Sequence, residues 1–282
     1  MDYVLIYLGP VPPHVSDCIN QIRKVDPSSK IYFCGDQNYS HVHTQYVPVW
    51  DVLREDKVGN FMQRYDSNPL WKTSLQRVFI LNGFLQKFRI PVVHFDTDIL
   101  IYKPFEAIAK YVPTYNYITP ASSKPSNYEC TKNFSYCIIN DIEAFNELAL
   151  KIETLIKTYP YPVVKNAIGG MVHEMSLLGY CSEGLLKDLP VIPGNDFDGI
   201  IFDAGSYSFY LDGMDARFHS SEMSKAGNVM PGYIIASYLL SLKDQFKIDF
   251  DKSIGPSLTV DSKTYSIMSL HMHSKNLNKF MV

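Results

Sequence analysis

Residues 89–105 read RIPVVHFDTDILIYKPF, an apolar run broken by two carboxylates, Asp96 and Asp98, with one residue between them. Val92 to Phe95 has the character of a buried strand, and Ile99, Leu100 and Ile101 resume the apolar pattern at once. Acids in a segment that wants burial need a cation or hydrogen bonds, because an uncompensated buried carboxylate is costly. A hard divalent ion meets that need with one or two carboxylates plus phosphate oxygens. In an extended strand the two side chains point to opposite faces, so both reach one ion only if the backbone turns there or one acts through water. The plainer reading is a solvated loop start with Asp98 capping a turn, and the apolar flanks weigh against it.

Upstream, the periodicity alternates. YVLIYLG has strand character, Val15, Cys18, Ile19, Ile22 and Val25 fall at helical spacing, and KIYFCGD is a second strand, giving a β-α-β start. After a polar loop around residues 51–69, Trp71, Leu75, Val78, Leu81, Leu85 and Phe88 recur at steps of three and four and lead straight into PVVHF. Asp96 is therefore expected at the carboxyl end of a strand in an α/β sheet. YNYIT and FSYCIIN are further strands, a helix capped by Asn140 is expected over about 141–158, and another over about 171–178. The carboxy-terminal half is less regular, with turns at IPGNDFDG, a helix starting near Pro231 and a last strand, SIMSLHMH. No repeat or linker divides the chain. The expectation is one α/β domain over residues 1–282, with a Rossmann-type, mostly parallel sheet flanked by helices and mixed strands in the second half. Its first half, about 1–105, is expected to form the nucleotide-binding layer, since ligands of open α/β sheets bind beyond the carboxyl ends of the strands.

Composition removes several classes. With 46% hydrophobic residues in 282, the chain has ample material for a large core. The balance of 26 Lys and Arg against 29 Asp and Glu lacks the basic footprint of a nucleic-acid binder, so no nucleic-acid partner is expected. MDYVLIYLGPVPP has no basic leader, and its apolar run is too short for a signal peptide or a membrane span, so a cytoplasmic protein is expected. Cys18, Cys34, Cys130, Cys137 and Cys181 include no C-x-x-C pair and are expected as reduced core filler.

Far along the chain, SLHMHSKNL places His271 and His273 at strand spacing with Lys275 two residues further on. H-x-H followed by lysine supplies a metal ligand and a phosphate counter-charge together. His41 and His43 repeat the spacing in a polar loop with no acid nearby, and are expected to be surface residues.

Taken with the preceding helix LWKTSLQRVFIL, the segment VVHFDTDILIYKPF resembles the D-x-D region of GT-A fold nucleotide-sugar glycosyltransferases, and LHMHSKNL resembles the late His and Lys motif of their glycogenin-like and related members. The resemblance runs in order over nearly the whole chain. It implies a GT-A-like fold with an acceptor-binding half at about 106–282, and a Mn2+ or Mg2+ ion bridging the D-x-D and the diphosphate of a nucleotide sugar, usually UDP-linked. Asp96, Asp98 and His273 are the expected metal ligands, with His271 as second choice for the histidine. Tyr7, Leu8, Gly9 and Asp36 are expected to hold base and ribose, with Arg77, Asp96 and Lys275 toward the donor. The implied partners are a UDP-sugar donor and a glycan or glycoprotein acceptor, with no membrane span.

The acceptor side is less sharply marked. Glu174, in VHEMSLLGY, stands where related enzymes keep an acid against the reacting sugars, and NDFDGIIFDAGSYSFYLDG offers Asp196, Asp198, Asp203 and Asp212 among aromatics. Glu174 and Asp203 are the expected catalytic carboxylates, Asp203 because it follows GIIF as Asp96 follows VVHF. An inverting reaction needs a carboxylate base and a retaining one makes no such clear demand, so the stereochemistry stays open. Two rivals remain: a haloacid dehalogenase-like phosphatase, whose D-x-D normally belongs to the first strand, and a non-catalytic sugar-binding module.

Overall fold

The computed structural model describes residues 1–53, 55–58, 61, 69–122, 131–211, 233–243 and 245–282. Along the chain run β1 (Asp2–Tyr7), α1 (His14–Val25), β2 (Ile31–Gly35), β3 (Gln45–Pro48), α2 (Pro69–Phe88), β4 (Val92–Phe95), β5 (Ile99–Ile101), β6 (Asn116–Pro120) and β7 (Lys132–Ile139). Then follow α3 (Ile142–Thr158), α4 (Tyr161–Ile168), α5 (Glu174–Cys181), β8 (Leu186–Asp188), β9 (Ile200–Ile201), α6 (Ile234–Ser241), β10 (Phe246–Asp251), β11 (Gly255–Val260), β12 (Lys263–Ile267) and β13 (Ser269–His271).

Seven strands form the main sheet in the order β3-β2-β1-β4-β7-β6-β8. β3, β2, β1 and β4 are mutually parallel, β7 is antiparallel to both β4 and β6, and β8 is parallel to β6. The fold is thus the expected α/β class, a mostly parallel sheet flanked by helices. Strands from the second half complete the same sheet, so the two halves of the sequence share one layer.

The nearly continuous apolar runs in β1, β2 and β4 follow from this layering. Successive side chains of a strand face opposite sides, and here both sides are covered. Tyr3, Leu5, Phe33, Val93 and Phe95 enter one core together with Val15, Cys18 and Ile19 of α1. Val4, Ile6, Cys34 and Val92 enter the other, beneath Leu75, Val78 and Leu81 of α2 and Phe145, Leu148 and Ile152 of α3. A strand buried on both faces has no polar side to alternate with.

Several boundaries differ from expectation. The N-cap of α3 is Asp141, whose Oδ1 accepts from the Ala144 N–H at 2.9 Å. Asn140, the expected cap, instead donates through Nδ2 to the carbonyls of Val112 and Tyr115, both at 2.8 Å. The helix expected over 171–178 begins at Glu174 and runs to Cys181. SIMSLHMH is not one strand. It breaks at Met268, whose N–H turns to the Ile201 carbonyl at 2.8 Å, and its two parts join different sheets. Cys18, Cys34 and Cys137 are free and buried and Cys181 is half-buried and free. Cys130, Asp212, much of the loop at 51–69 and the expected helix start at Pro231 lie outside the described residues.

The small pair β5 and β13 matters most for the site. β5 begins directly after the acids and pairs antiparallel with β13, placing His271 opposite Ile99, Leu270 opposite Leu100 and Ser269 opposite Ile101. α1 grips the other edge of β5, with Gln21 Nε2 donating to the Ile101 carbonyl at 2.8 Å and Cys18 Sγ to the Ile99 carbonyl at 3.3 Å. Since Asp141 caps α3 far from this pair in sequence, Asp141→Ala should lower stability by about 1 kcal/mol. Denaturant unfolding should show that loss as a lower midpoint with an unchanged slope.

Candidate active site at the carboxyl edge of the sheet

The acid pair sits where the backbone turns. The Asp96 N–H still donates to the Ser135 carbonyl of β7 at 2.9 Å, and three residues on the Ile99 N–H donates to the Asp96 carbonyl at 3.0 Å. This turn removes the strand geometry that would send the carboxylates to opposite faces. The Met272 N–H donates to the Asp98 carbonyl at 2.8 Å, extending the β5–β13 pairing to the acids themselves. In consequence one ligand atom each from Asp96, Asp98 and His271 lie within 4.8 Å of one another. Two carboxylates and an imidazole are a donor set that suits a hard-to-borderline divalent ion such as Mn2+ or Mg2+.

The electrostatics are worked out within the protein. Arg77, expected as a donor-facing residue on α2, turns inward and pairs with Asp96. Lys275 pairs with Asp98 Oδ2, and His271 Nε2 stands 3.3 Å from that same oxygen. Burial opposes charge on Asp96, but Arg77, and after it His271 and His94, outweigh burial and hold its carboxyl below the ordinary value. Burial lowers His271, with Asp96 and Asp203 opposing, which favours the neutral imidazole that a metal ligand requires. Burial also lowers Lys275, with Asp96 opposing and Arg77 adding to the effect.

Of the two histidines, His271 joins the acids. His273 lies past the end of β13, with its ring stacked on that of His271 at 4.1 Å and Nε2 3.3 Å from the Gly205 carbonyl. Gly205 has φ 101°, and a Cβ there would come within 3.0 Å of His273 Nε2, so this glycine admits both the turn and the ring.

The two carboxylates expected to be catalytic have opposite surroundings. Asp203 is wholly buried. Its Oδ1 accepts from the N–H groups of Gly205, Ser206 and Tyr207 at 2.8, 2.7 and 3.0 Å, and its Oδ2 from those of Ser208 and His271 at 3.3 and 3.1 Å. These backbone bonds fill its lone pairs, so Asp203 works as a strut that fixes the strand carrying His271. Glu174 opens α5 with its side chain 7% exposed, and Oε2 has no hydrogen-bond partner among the described residues. Burial pushes its carboxyl up to about 7 against the pull of Arg77, and Asp96 adds to the rise. Beside it, His173 stacks against Trp71 with ring centroids 4.8 Å apart.

Tyr7 ends β1, the strand next to β4, Leu8 and Gly9 follow it, Asp36 follows β2 one strand further out, and the Gly9 N–H donates to Asp36 Oδ1 at 2.8 Å. Gly9 has φ 95°, which leaves its N–H free to reach across to the neighbouring loop. Asp198 is an exposed partner of Lys110 at 2.7 Å and lies apart from these groups. His14 of α1 stands close enough to Lys275 to feel its charge: burial lowers its imidazole to about 4, with Lys275 adding to the fall and Asp17 opposing it. The turn that Asp203 closes is marked in the sequence by D-A-G-S, an Asp followed by Gly and Ser. His41 and His43 are half-buried, with ring centroids 5.5 Å apart and planes tilted by 53°.

No family model matches the chain, and no curated protein does. The chain resembles solved structures of glycosyltransferases. Galactosyltransferase LgtC with donor and acceptor sugar analogues is 13% identical, over 82% of this chain and 85% of that one, at a TM-score of 0.44. Mouse xyloside xylosyltransferase 1 is 10% identical over 80% and 92%, at 0.47. The glycosyltransferase GlyE of Streptococcus pneumoniae is 10% identical over 85% and 59%, at 0.41. Likenesses at this level carry no argument about chemistry, which rests on the groups described above.

Two outcomes follow from the contrast between the carboxylates. Asp203→Asn turns a donor toward the Ser208 and His271 N–H groups and should cost about 3 kcal/mol of stability. Wild-type unfolding of that variant would contradict the strut. For Glu174 the folded pKa lies above the unfolded one, so the native state binds the extra proton. Its contribution is fully present below about pH 4.5, falls as pH rises to about 7, and then stays lost. Relative to wild type, Glu174→Gln should therefore gain about 3 kcal/mol between pH 4 and pH 8, read from unfolding midpoints across that range.

Proposed function

We propose that the chain is a glycosyltransferase that moves a sugar from a UDP-linked donor to a glycan or protein hydroxyl, with a divalent ion, Mn2+ or Mg2+, at Asp96, Asp98 and His271. The observation that carries this reading is the meeting of that acid pair and imidazole, with Arg77 and Lys275 beside them, at the carboxyl edge of a parallel sheet. In open α/β sheets this edge is the ligand edge. Asp36, Gly9 and Asp96 follow β2, β1 and β4, three adjacent strands, and two strand spacings span about 10 Å. That is roughly the reach from a nucleoside to its second phosphate. Tyr7, Leu8, Gly9 and Asp36 then take base and ribose.

Bound there, the ion would supply Lewis-acid neutralisation of the diphosphate leaving group. Lys275 and Arg77 add positive charge where negative charge develops as the glycosidic bond breaks. Asp203 holds His271 in register and does not touch the sugars. Glu174 presents a buried, unpartnered oxygen whose proton affinity is tuned near neutrality, the property of a group that accepts a proton from an acceptor hydroxyl or holds a sugar hydroxyl. That unpartnered oxygen also favours a reacting site over a passive sugar-binding module. A phosphatase reading is not favoured, because the acids follow the fourth strand and the first of them is engaged by Arg77.

Mn2+ with UDP should raise the melting temperature, by about 2.7 kcal/mol of apparent stability at a hundredfold excess over Kd. Asp98→Ala and His271→Ala should each abolish most metal-dependent hydrolysis of a UDP-sugar while folding normally. Absence of any shift across nucleoside diphosphates, with and without Mn2+, would sink the assignment. Glu174→Gln should lower turnover by roughly two to four powers of ten with UDP affinity preserved.

A further inference from the structure

The acid pair is matched charge for charge by the protein. Arg77 neutralises Asp96 and Lys275 neutralises Asp98, so two carboxylates face a guanidinium and an ammonium. The ammonium contacts Asp98 Oδ2, the same oxygen that faces His271 Nε2 at 3.3 Å. A divalent ion cannot take this oxygen while an ammonium holds it, because the two cations would lie within a few ångströms of each other in a poorly solvated corner.

The two protein cations differ in their freedom to leave. Arg77 belongs to a 20-residue helix and its side chain is only 14% exposed. Lys275 lies beyond the last strand, its side chain is 49% exposed, and its backbone occupies a left-handed turn at φ 62° closed by its N–H on the Met272 carbonyl at 2.9 Å. A flexible four-carbon stem from such a turn can swing its ammonium from Asp98 to another anion nearby without moving the sheet. A diphosphate at the carboxyl edge is such an anion.

We infer that Lys275 is an exchangeable counter-ion that couples the divalent ion to the nucleotide: it holds Asp98 until a nucleoside diphosphate draws its ammonium away, and only then does Asp98 bind the ion fully. The inference rests on the nucleotide-sugar reading above. It differs from a lysine that only contacts phosphate, since it makes Lys275 an antagonist of metal binding in the absence of nucleotide. Binding linkage is reciprocal, so nucleotide must tighten the ion by the same factor as the ion tightens nucleotide.

The test is calorimetric titration of Mn2+, alone and with saturating UDP, into wild type, Lys275→Met and Lys275→Asn. Asparagine tolerates the left-handed turn and keeps the comparison open if methionine perturbs folding. In both variants Mn2+ alone should bind about tenfold more tightly than in wild type, and the tightening by UDP should shrink by a similar factor. Lys275→Arg, which keeps the charge, should leave the Mn2+ affinity near wild type. Unchanged or weaker binding of Mn2+ alone in both uncharged variants, with wild type still binding Mn2+ and UDP together, would overturn the exchange and leave the transferase reading standing. If wild type binds neither Mn2+ nor UDP, both fall together.

Discussion

The three-residue antiparallel pairing of β5 with β13 is the constraint from which the site follows. β5 fixes the chain just after Asp98, β13 carries His271, and their register leaves no choice about which residues meet. Each partner is itself held from outside. α1 supplies Gln21 and Cys18 to the carbonyls of β5, and Asp203 supplies a carboxylate oxygen to the His271 N–H. A pair this short would be marginal alone. Its position is determined by a helix on one side and a buried anion on the other.

The same corner shows how a protein keeps several carboxylates in close quarters. Asp203 accepts from five backbone amides, Asp96 pairs with a guanidinium and Asp98 with an ammonium, while for Glu174 burial outweighs the pull of Arg77 and of the N–H groups at its own helix start, and its proton is retained toward neutral pH. Environment, and not residue type, separates the four.

What could be read from the sequence was what local periodicity encodes. The buried strands and α1, α2 and α3 announced themselves because both sheet faces are covered and their apolar spacing is therefore complete. The acid pair was legible for the same reason, as a polar interruption of a run that should have none. That His271 and not His273 lies beside the acids was not legible, since both share a spacing and only the long-range register against β5 separates them. Nor was the role of Asp203. A carboxylate after an apolar strand looks the same in sequence whether it awaits a ligand or five amides. The cap of α3 was missed by one residue because Asn140 and Asp141 are both good capping types, and the carbonyls that claim Asn140 belong to residues 112 and 115, distant in sequence.

The β5–β13 pairing also sets an order in time. Residues 96–98 leave the ribosome while the histidine strand, more than 170 residues behind, has yet to be made. A nascent chain thus carries its acids and their arginine on an α/β layer that can already begin to form, yet lacks His271 and Lys275 beside them. The centre closes only when one of the longest-range contacts in the fold is made. A contact of that kind closes a long loop and is slow to form, so the centre is among the later parts of the fold to assemble.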